Sequence, residues 1–283
     1  MHPVQPYADT PPSRSPMPER RLDQIRCVLL DMDGTFYLGE RLLPGAASFL
    51  AHLRGSSEPF VFLTNNTSQN RDHYLAKLRR LGIHISEGEI FTAGEASALW
   101  LQARAPGCAV FLAGTPALGD VFVAHGFRLT QDAPDWIVLG FDTTLTYDRL
   151  WKLCDHVRAG VPYLATHPDF NCPTDGGFMP DIGAMIAFVE ASTGRRPDVI
   201  IGKPHAPIVE ALARKTGVPV ETMCMVGDRL YTDIALGAHG VMTVLVLCGE
   251  TSPDDLQESP YVPDLVVQDL AELDRLWRLA RRE

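Results

Sequence analysis

The sequence predicts an α/β protein in which a parallel sheet flanked by helices carries an inserted second α/β domain. Three observations predict it. From Arg26 onward, short β-branched runs alternate with amphipathic stretches of helical length, as in βαβ units. Four apolar runs end in residues able to handle phosphate or metal: VLL before Asp31 and Asp33, VFL before Thr64, Asn65 and Asn66, VIIG before Lys203, and CMVG before Asp228. The stretch 65–202 between Thr64 and Lys203 is far longer than one parallel crossover requires, and it has a strand and helix alternation of its own.

In chain order, residues 1–22 come first. Six prolines fall in the first twenty residues, with no apolar segment of signal-peptide length, so a disordered Pro-rich tail is expected. CVLL then reads as a strand and AASFLAHL as a helix, followed by FVFL and a helix over 70–82. In that helix Tyr74, Leu75, Leu78 and Leu81 follow the spacing of one buried face, while Arg71, Lys77, Arg79 and Arg80 point away. Gly82 stands where a helix end favours a residue free to take positive φ. AVFL, ALGDVFVAH, WIVLG and YDRLWKLCDHV continue the alternation inside the insert. After it come DVIIG, the helix HAPIVEALARKTG, the strand MCMVGD, the helix YTDIALGAHG, the strand VMTVLVL and a closing helix DLAELDRLWRLARR. The expected division is a discontinuous core over 23–92 and 199–283, with the inserted domain over 93–198.

The 25 basic and 35 acidic residues leave a net charge of −10, which argues against nucleic acid or an anionic membrane as partner. A small anionic substrate remains compatible, because a local cation overrules the net field. Cys27, Cys108, Cys154, Cys172, Cys224 and Cys248 show no C-x-x-C spacing, so reduced thiols in a cytoplasmic protein are expected. The longest apolar runs are strand-length, well short of a membrane span.

Taken singly, each polar strand end has an ordinary explanation. DMDGT can be a polar turn, TNN a turn or cap, Lys203 a solvated lysine, and Gly227-Asp228 a loop with an N-cap. Together they carry more. Two aspartates one residue apart at a strand end invite like-charge repulsion of about 4 kcal/mol at 4 Å and an effective dielectric of 20, and in an open parallel sheet ligands bind at the carboxyl ends of the strands. All four ends are therefore expected to face one crevice.

These motifs, DMDGT, LTNNTSQNRDHYLAKLRRLGI, LTYDRLWKLCDHVRAG, ATHPDFNCPTDGGF, IIGKPHAPIVEALA and MVGDRLYTDIALG, resemble the haloacid dehalogenase superfamily of phosphohydrolases and its NagD-like branch, over nearly the whole chain past the tail. The resemblance implies a Rossmann-like core with a class IIA α/β cap. It also implies a phosphatase of small phosphate monoesters, sugar phosphates or related metabolites, with aryl phosphates as artificial substrates. By the resemblance Asp31 is the nucleophile that forms an aspartyl phosphate. Asp33 is the general acid and then base, which requires a proton held in the free site. Thr64 and Asn65, with neighbouring Asn66, hold phosphate, and Lys203 neutralises it. Backbone amides around Asp33 and Gly34 would add donors. Three carboxylates converging with a phosphate call for a cation, and oxygen-only ligation favours Mg²⁺. Its expected ligands are the Asp31 carboxylate, the Asp33 carbonyl and the Asp228 carboxylate, with Asp233 orienting metal-bound water.

The cap is expected to read the leaving group through the ATHPDFNCPTDGG loop. Cys172 stands where the pyridoxal-phosphate phosphatases that resemble this loop place a histidine, which weighs against that substrate. His167 and His205 are candidates for substrate contact beside the commoner reading of capping or surface histidines. Specificity for pyridoxal phosphate, phosphoglycolate or a nucleotide is an alternative, as is a catalytically retired scaffold acting as a binding module. A dehalogenase lacks the second aspartate, and a phosphonatase requires a Schiff-base lysine not identifiable here. A phosphomutase usually places a helical cap between the first and second motifs, where this chain has room for none. The resemblance also suggests a homodimer formed through the cap.

Overall fold

The computed structural model of the protein describes residues 22–174 and 177–281. Residues 1–21 of the expected tail lie outside them. The chain forms two compact units, divided after residues 64, 73, 91 and 211. The terminal unit holds, of the described residues, 22–64, 74–91 and 212–281; the inserted unit holds 65–73 and 92–211 without residues 175 and 176.

In chain order, the wholly buried run β1 (Cys27–Leu30) leads into a short hairpin of β2 (Tyr37–Leu38) and β3 (Arg41–Leu42). Helix α1 (Ala46–Gly55), strand β4 (Phe60–Thr64), helix α2 (Arg71–Arg80) and strand β5 (Ile90–Thr92) follow. Tyr74 and Leu78 bury one face of α2, with Leu75 and Leu81 partly buried beside them, and Gly82 closes it at φ 79°. Then come α3 (Ala93–Gln102), β6 (Ala109–Ala113), α4 (Pro116–Ala124), β7 (Arg128–Leu129), β8 (Trp136–Leu139), α5 (Tyr147–Arg158) and β9 (Tyr163–Ala165). Thr92, Thr115 and Thr146 start α3, α4 and α5 as N-caps, each accepting a backbone N–H three residues on, which satisfies donors a helix leaves free. A hairpin of β10 (Asn171–Thr174) and β11 (Gly177–Pro180) precedes α6 (Ile182–Thr193), β12 (Val199–Ile200) and α7 (Ala206–Thr216). The chain ends with β13 (Met223–Gly227), β14 (Met242–Val246), α8 (Pro253–Glu258), β15 (Leu265–Val267) and α9 (Leu270–Arg281). Between β13 and β14, the expected helix over 231–240 is a short 3-10 helix, Ile234–His239.

The terminal unit is built on a six-stranded sheet of order β15-β14-β13-β1-β4-β5. β1 pairs in parallel with β13 on one side (Leu30↔Val226) and β4 on the other (Leu30↔Phe62). Its strands β1, β4, β13 and β14 are buried throughout, as expected of a parallel sheet covered on both faces. Phe36 packs edge-on to Phe62 at 4.8 Å and Phe49 to Trp277 at 5.7 Å. The inserted unit has a five-stranded sheet of order β12-β9-β8-β6-β7, over a core that includes Phe111, Phe141, Leu153 and Ile186.

The four polar strand ends are divided between two sheets. Asp31, Thr64 and Asp228 follow or end three neighbouring strands of one sheet, β1, β4 and β13, but Lys203 follows β12, which pairs with β9 in the other sheet. Residues 65–73 also group with the inserted unit. Side chains hold them there: Thr67 Oγ1 accepts the Phe141 N–H at 3.0 Å and lies 3.1 Å from Thr166 Oγ1. Among the described residues no helix is long and apolar enough to cross a membrane. None of the six cysteines is in a disulfide, and burial pushes the Cys27 thiol up to about 12.

Candidate active site

Three carboxylates converge at the carboxyl edge of the terminal sheet. Ligand oxygens of Asp31, Asp228 and Asp233 lie within 4.8 Å of one another. Asp228 and Asp233 are buried and Asp31 is partly buried. The Asp31 N–H donates to Val226 O at 2.9 Å, pinning the end of β1 to β13. Asp228 accepts from Thr35 Oγ1 at 3.1 Å and from the Glu250 N–H at 2.7 Å, and Asp233 from the Arg229 N–H at 3.1 Å. Glycines make the room. A Cβ on Gly34 or Gly249 would fall 2.2 or 2.1 Å from Asp228 Oδ2, and one on Gly227 would fall 2.2 Å from Asp233 Cγ.

Burial, reinforced by Asp233 and opposed by Arg229 and the Glu250 N–H, raises the Asp228 carboxyl from 3.8 to about 6. The folded protein therefore holds this proton to higher pH than the unfolded chain. The stability it contributes is complete below about pH 4 and is lost as pH rises through 6. Melting curves in chelator between pH 4 and 7 are expected to show this fall, and Asp228→Asn is expected to flatten it. An unchanged slope in the variant would refute the assignment.

Asp33 belongs to the same unit. Its side chain is 51% exposed, with Oδ1 3.5 Å from Lys77 Nζ, and Oδ2 accepts from Tyr37 Oη at 3.2 Å. Crowding of like charges is found among Asp31, Asp228 and Asp233. The Gly34 N–H, expected to bind phosphate, donates to Tyr37 O at 2.9 Å. What Gly34 supplies in this arrangement is space for Asp228.

Thr64 ends β4 and is buried. In the inserted unit, Asn65 commits its amide to the backbone of Lys203: Nδ2 donates to Lys203 O and Oδ1 accepts the Lys203 N–H, both at 2.8 Å. Nδ2 also donates to Asp169 Oδ1 at 3.2 Å. Lys203 is 2% exposed. Asn66 Oδ1 accepts the Ser68 N–H and hydroxyl at 2.9 and 2.7 Å, a local turn. The His167 imidazole is wholly buried between two carboxylates, Nδ1 3.5 Å from Asp169 and Nε2 3.7 Å from Asp181. Cys172 is on β10 opposite Met179 and leans on the unit's core, so the expected loop is in part a hairpin. His205 is partly buried, its N–H donating to Gly202 O at 2.9 Å.

Tyr37 and Lys77 are the residues that sequence reasoning missed. Lys77 is on the polar face of α2 and its side chain is only 16% exposed, with Nζ 3.9 Å from the centre of the Tyr37 ring. No local signal marks it, since its partner is forty-four positions away (77 − 33 = 44).

Among the described residues the Asp31, Asp228 and Asp233 oxygens fit a hard divalent cation. The shared burial of these acids, with one of them pushed up by burial, is the state that such a cation relieves.

Comparison with known proteins bears on this geometry. Residues 28–128 match the family described as haloacid dehalogenase-like hydrolase, and residues 200–273 one described as HAD-hydrolase-like. The chain is 31% identical over 254 residues to an acid sugar phosphatase of Staphylococcus saprophyticus, covering 89% of this chain and 98% of that protein. Among solved structures, 4-nitrophenylphosphatase from Thermotoga maritima superposes with a TM-score of 0.88 at 48% identity, over 90% of this chain and 98% of its own. Glycerol phosphate phosphatase from Mycobacterium tuberculosis, in complex with calcium, superposes with a TM-score of 0.82 at 31% identity, over 90% and 76% of the two chains.

Proposed function

Since the chain belongs to the haloacid dehalogenase-like hydrolases and is a phosphatase of that family, we propose that it hydrolyses small phosphate monoesters with Mg²⁺, through an aspartyl phosphate on Asp31. The observation that supports this most is the convergence of Asp31, Asp228 and Asp233 within 4.8 Å at the edge of a parallel sheet.

The carboxylates of Asp31, Asp228 and Asp233 would hold the ion, and the Asp33 carbonyl is carried into that set by its motif. When bound, the ion offsets negative charge that phosphate brings to three acids. Asp31 attacks phosphorus, and the ester oxygen leaves with the proton of Asp33. Asp33 then takes a proton from the water that opens the acyl phosphate. Thr64 is proposed to bind the phosphoryl group through its hydroxyl, and Lys203, by its motif, to neutralise it. Asn65 acts by holding the Lys203 backbone.

The sugar-phosphate and aryl-phosphate names of the relatives make a phosphorylated metabolite the proposed substrate class. A cytoplasmic setting fits six thiols without a disulfide, three of them buried, and a homodimer through the cap is proposed from the resemblance. Purified protein is expected to turn over 4-nitrophenyl phosphate with added Mg²⁺, to stop with chelator, and to recover when Mg²⁺ is restored. No turnover across a broad panel of phosphate esters would sink the reading.

A further inference from the structure

Asp33 has a cradle that the reaction scheme above does not use. Tyr37 Oη donates to one carboxylate oxygen at 3.2 Å, and the Lys77 ammonium lies 3.5 Å from the other. The two donors also touch each other, with Nζ 3.9 Å from the centre of the Tyr37 ring, a cation–π distance. The tyrosine is wholly buried, and its backbone is tied to the DMDG turn by the Gly34 N–H to Tyr37 O bond of 2.9 Å and the Asp33↔Tyr37 bridge. Burial and the neighbouring Asp33 push its phenol far above the ordinary range, so it remains a neutral donor. An exposed ion pair contributes little, but here the lysine is 16% exposed while its aspartate is 51% exposed. The cation is held by the fold and the acid is free to face solvent, which is an arrangement for aiming a carboxyl group.

We propose that Tyr37 and Lys77 are positioning residues, which fix the Asp33 carboxyl group in the orientation from which it protonates the leaving oxygen. This deepens the phosphatase reading and rests on it. In the step concerned, an Asp31 oxygen forms its bond to phosphorus, the phosphorus–ester oxygen bond breaks with its electron pair on the ester oxygen, and the Asp33 proton moves to that oxygen. An alkyl leaving group requires the proton. 4-Nitrophenolate departs without it.

The test compares kcat/KM for glycerol phosphate and 4-nitrophenyl phosphate, a ratio that reports the steps up to ester cleavage. Tyr37→Phe and Lys77→Met are each expected to lower it about 10- to 100-fold for glycerol phosphate and by less than about 3-fold for 4-nitrophenyl phosphate, since general acid catalysis contributes ~10²–10⁴ in all. Lys77→Arg is expected to restore most of the loss. In an Asp33→Asn background, Lys77→Met is expected to cost less than about 2-fold further, because both act through one group. Equal losses on the two esters, or a full further loss in the Asp33→Asn background, would overturn the inference. If Lys77→Met does not fold, Lys77→Gln and Tyr37→Phe carry the same comparison. Wild-type protein inactive on both esters would instead overturn the phosphatase reading, and this inference with it.

Discussion

Asp31→Asn is expected to lose turnover of 4-nitrophenyl phosphate by about 10⁴-fold or more while remaining folded. An amide cannot supply the carboxylate oxygen that bonds to phosphorus, and removing a nucleophile typically costs a rate factor of this order. Its folding is expected to hold because Asp31 is only partly buried and shares its surroundings with Asp228 and Asp233. Removing one of three like charges relieves repulsion in the metal-free protein. A chelator-treated melt of the variant at or above the wild-type temperature, together with absent turnover, is the expected pair of results. Near-normal kcat in Asp31→Asn would reject Asp31 as nucleophile, whatever the melt shows.

Gly34→Ala is expected to damage both stability and activity, for a different reason. Gly34 has φ 88°, where an L-residue pays about 1–2 kcal/mol. The added Cβ would also lie 2.2 Å from Asp228 Oδ2 and 2.8 Å from its Cγ, so either the turn or Asp228 must move. Moving Asp228 gives up its bonds from Thr35 and the Glu250 N–H. A combined cost of about 2–4 kcal/mol corresponds to a melting temperature lower by roughly 5–10 °C, with activity down at least about 100-fold. Gly39→Ala is the matched control: φ is 58° but nothing lies within 4 Å of its Cβ, so only the backbone cost is expected and activity should remain. Equal activity losses in the two variants would show that strain, and not displacement of Asp228, is responsible.

Much of the terminal unit is readable from sequence because its determinants are local. A four-residue apolar run followed by Asp31 specifies a buried strand and its polar end, and the 3, 4, 7 spacing of Tyr74, Leu75, Leu78 and Leu81 specifies the face that α2 buries. Partners fixed only by tertiary pairing are not readable. VIIG before Lys203 looks like CMVG before Asp228, and nothing in either run says that β12 pairs with β9 while β13 pairs with β1. Asn65 looks like a phosphate ligand by motif, yet its amide is committed to the backbone of a residue 138 positions away. Lys77 has the helical phase of a solvated lysine, because the aromatic ring and carboxylate that receive it come from the hairpin region after β1. Asp233 shows a milder form of the same limit: its spacing suggests a supporting acid, and the fold places its oxygen within 4.8 Å of those of Asp31 and Asp228.

The strand order also has a consequence for how the chain is made. β1 is central in its sheet, yet its partner β13 begins 196 residues later (223 − 27 = 196). At ~5–20 residues per second of synthesis, about 10–40 s pass between the two strands leaving the ribosome. The strands of the inserted sheet, β6, β7, β8, β9 and β12, are all complete by Ile200. The nascent chain thus reaches a full inserted sheet while β1, a wholly buried apolar run in the folded protein, still awaits β13, the strand that covers one of its edges. It is during that interval that β1 is open to mispairing, and the bulk of nascent-chain surveillance by chaperones is expected to fall there.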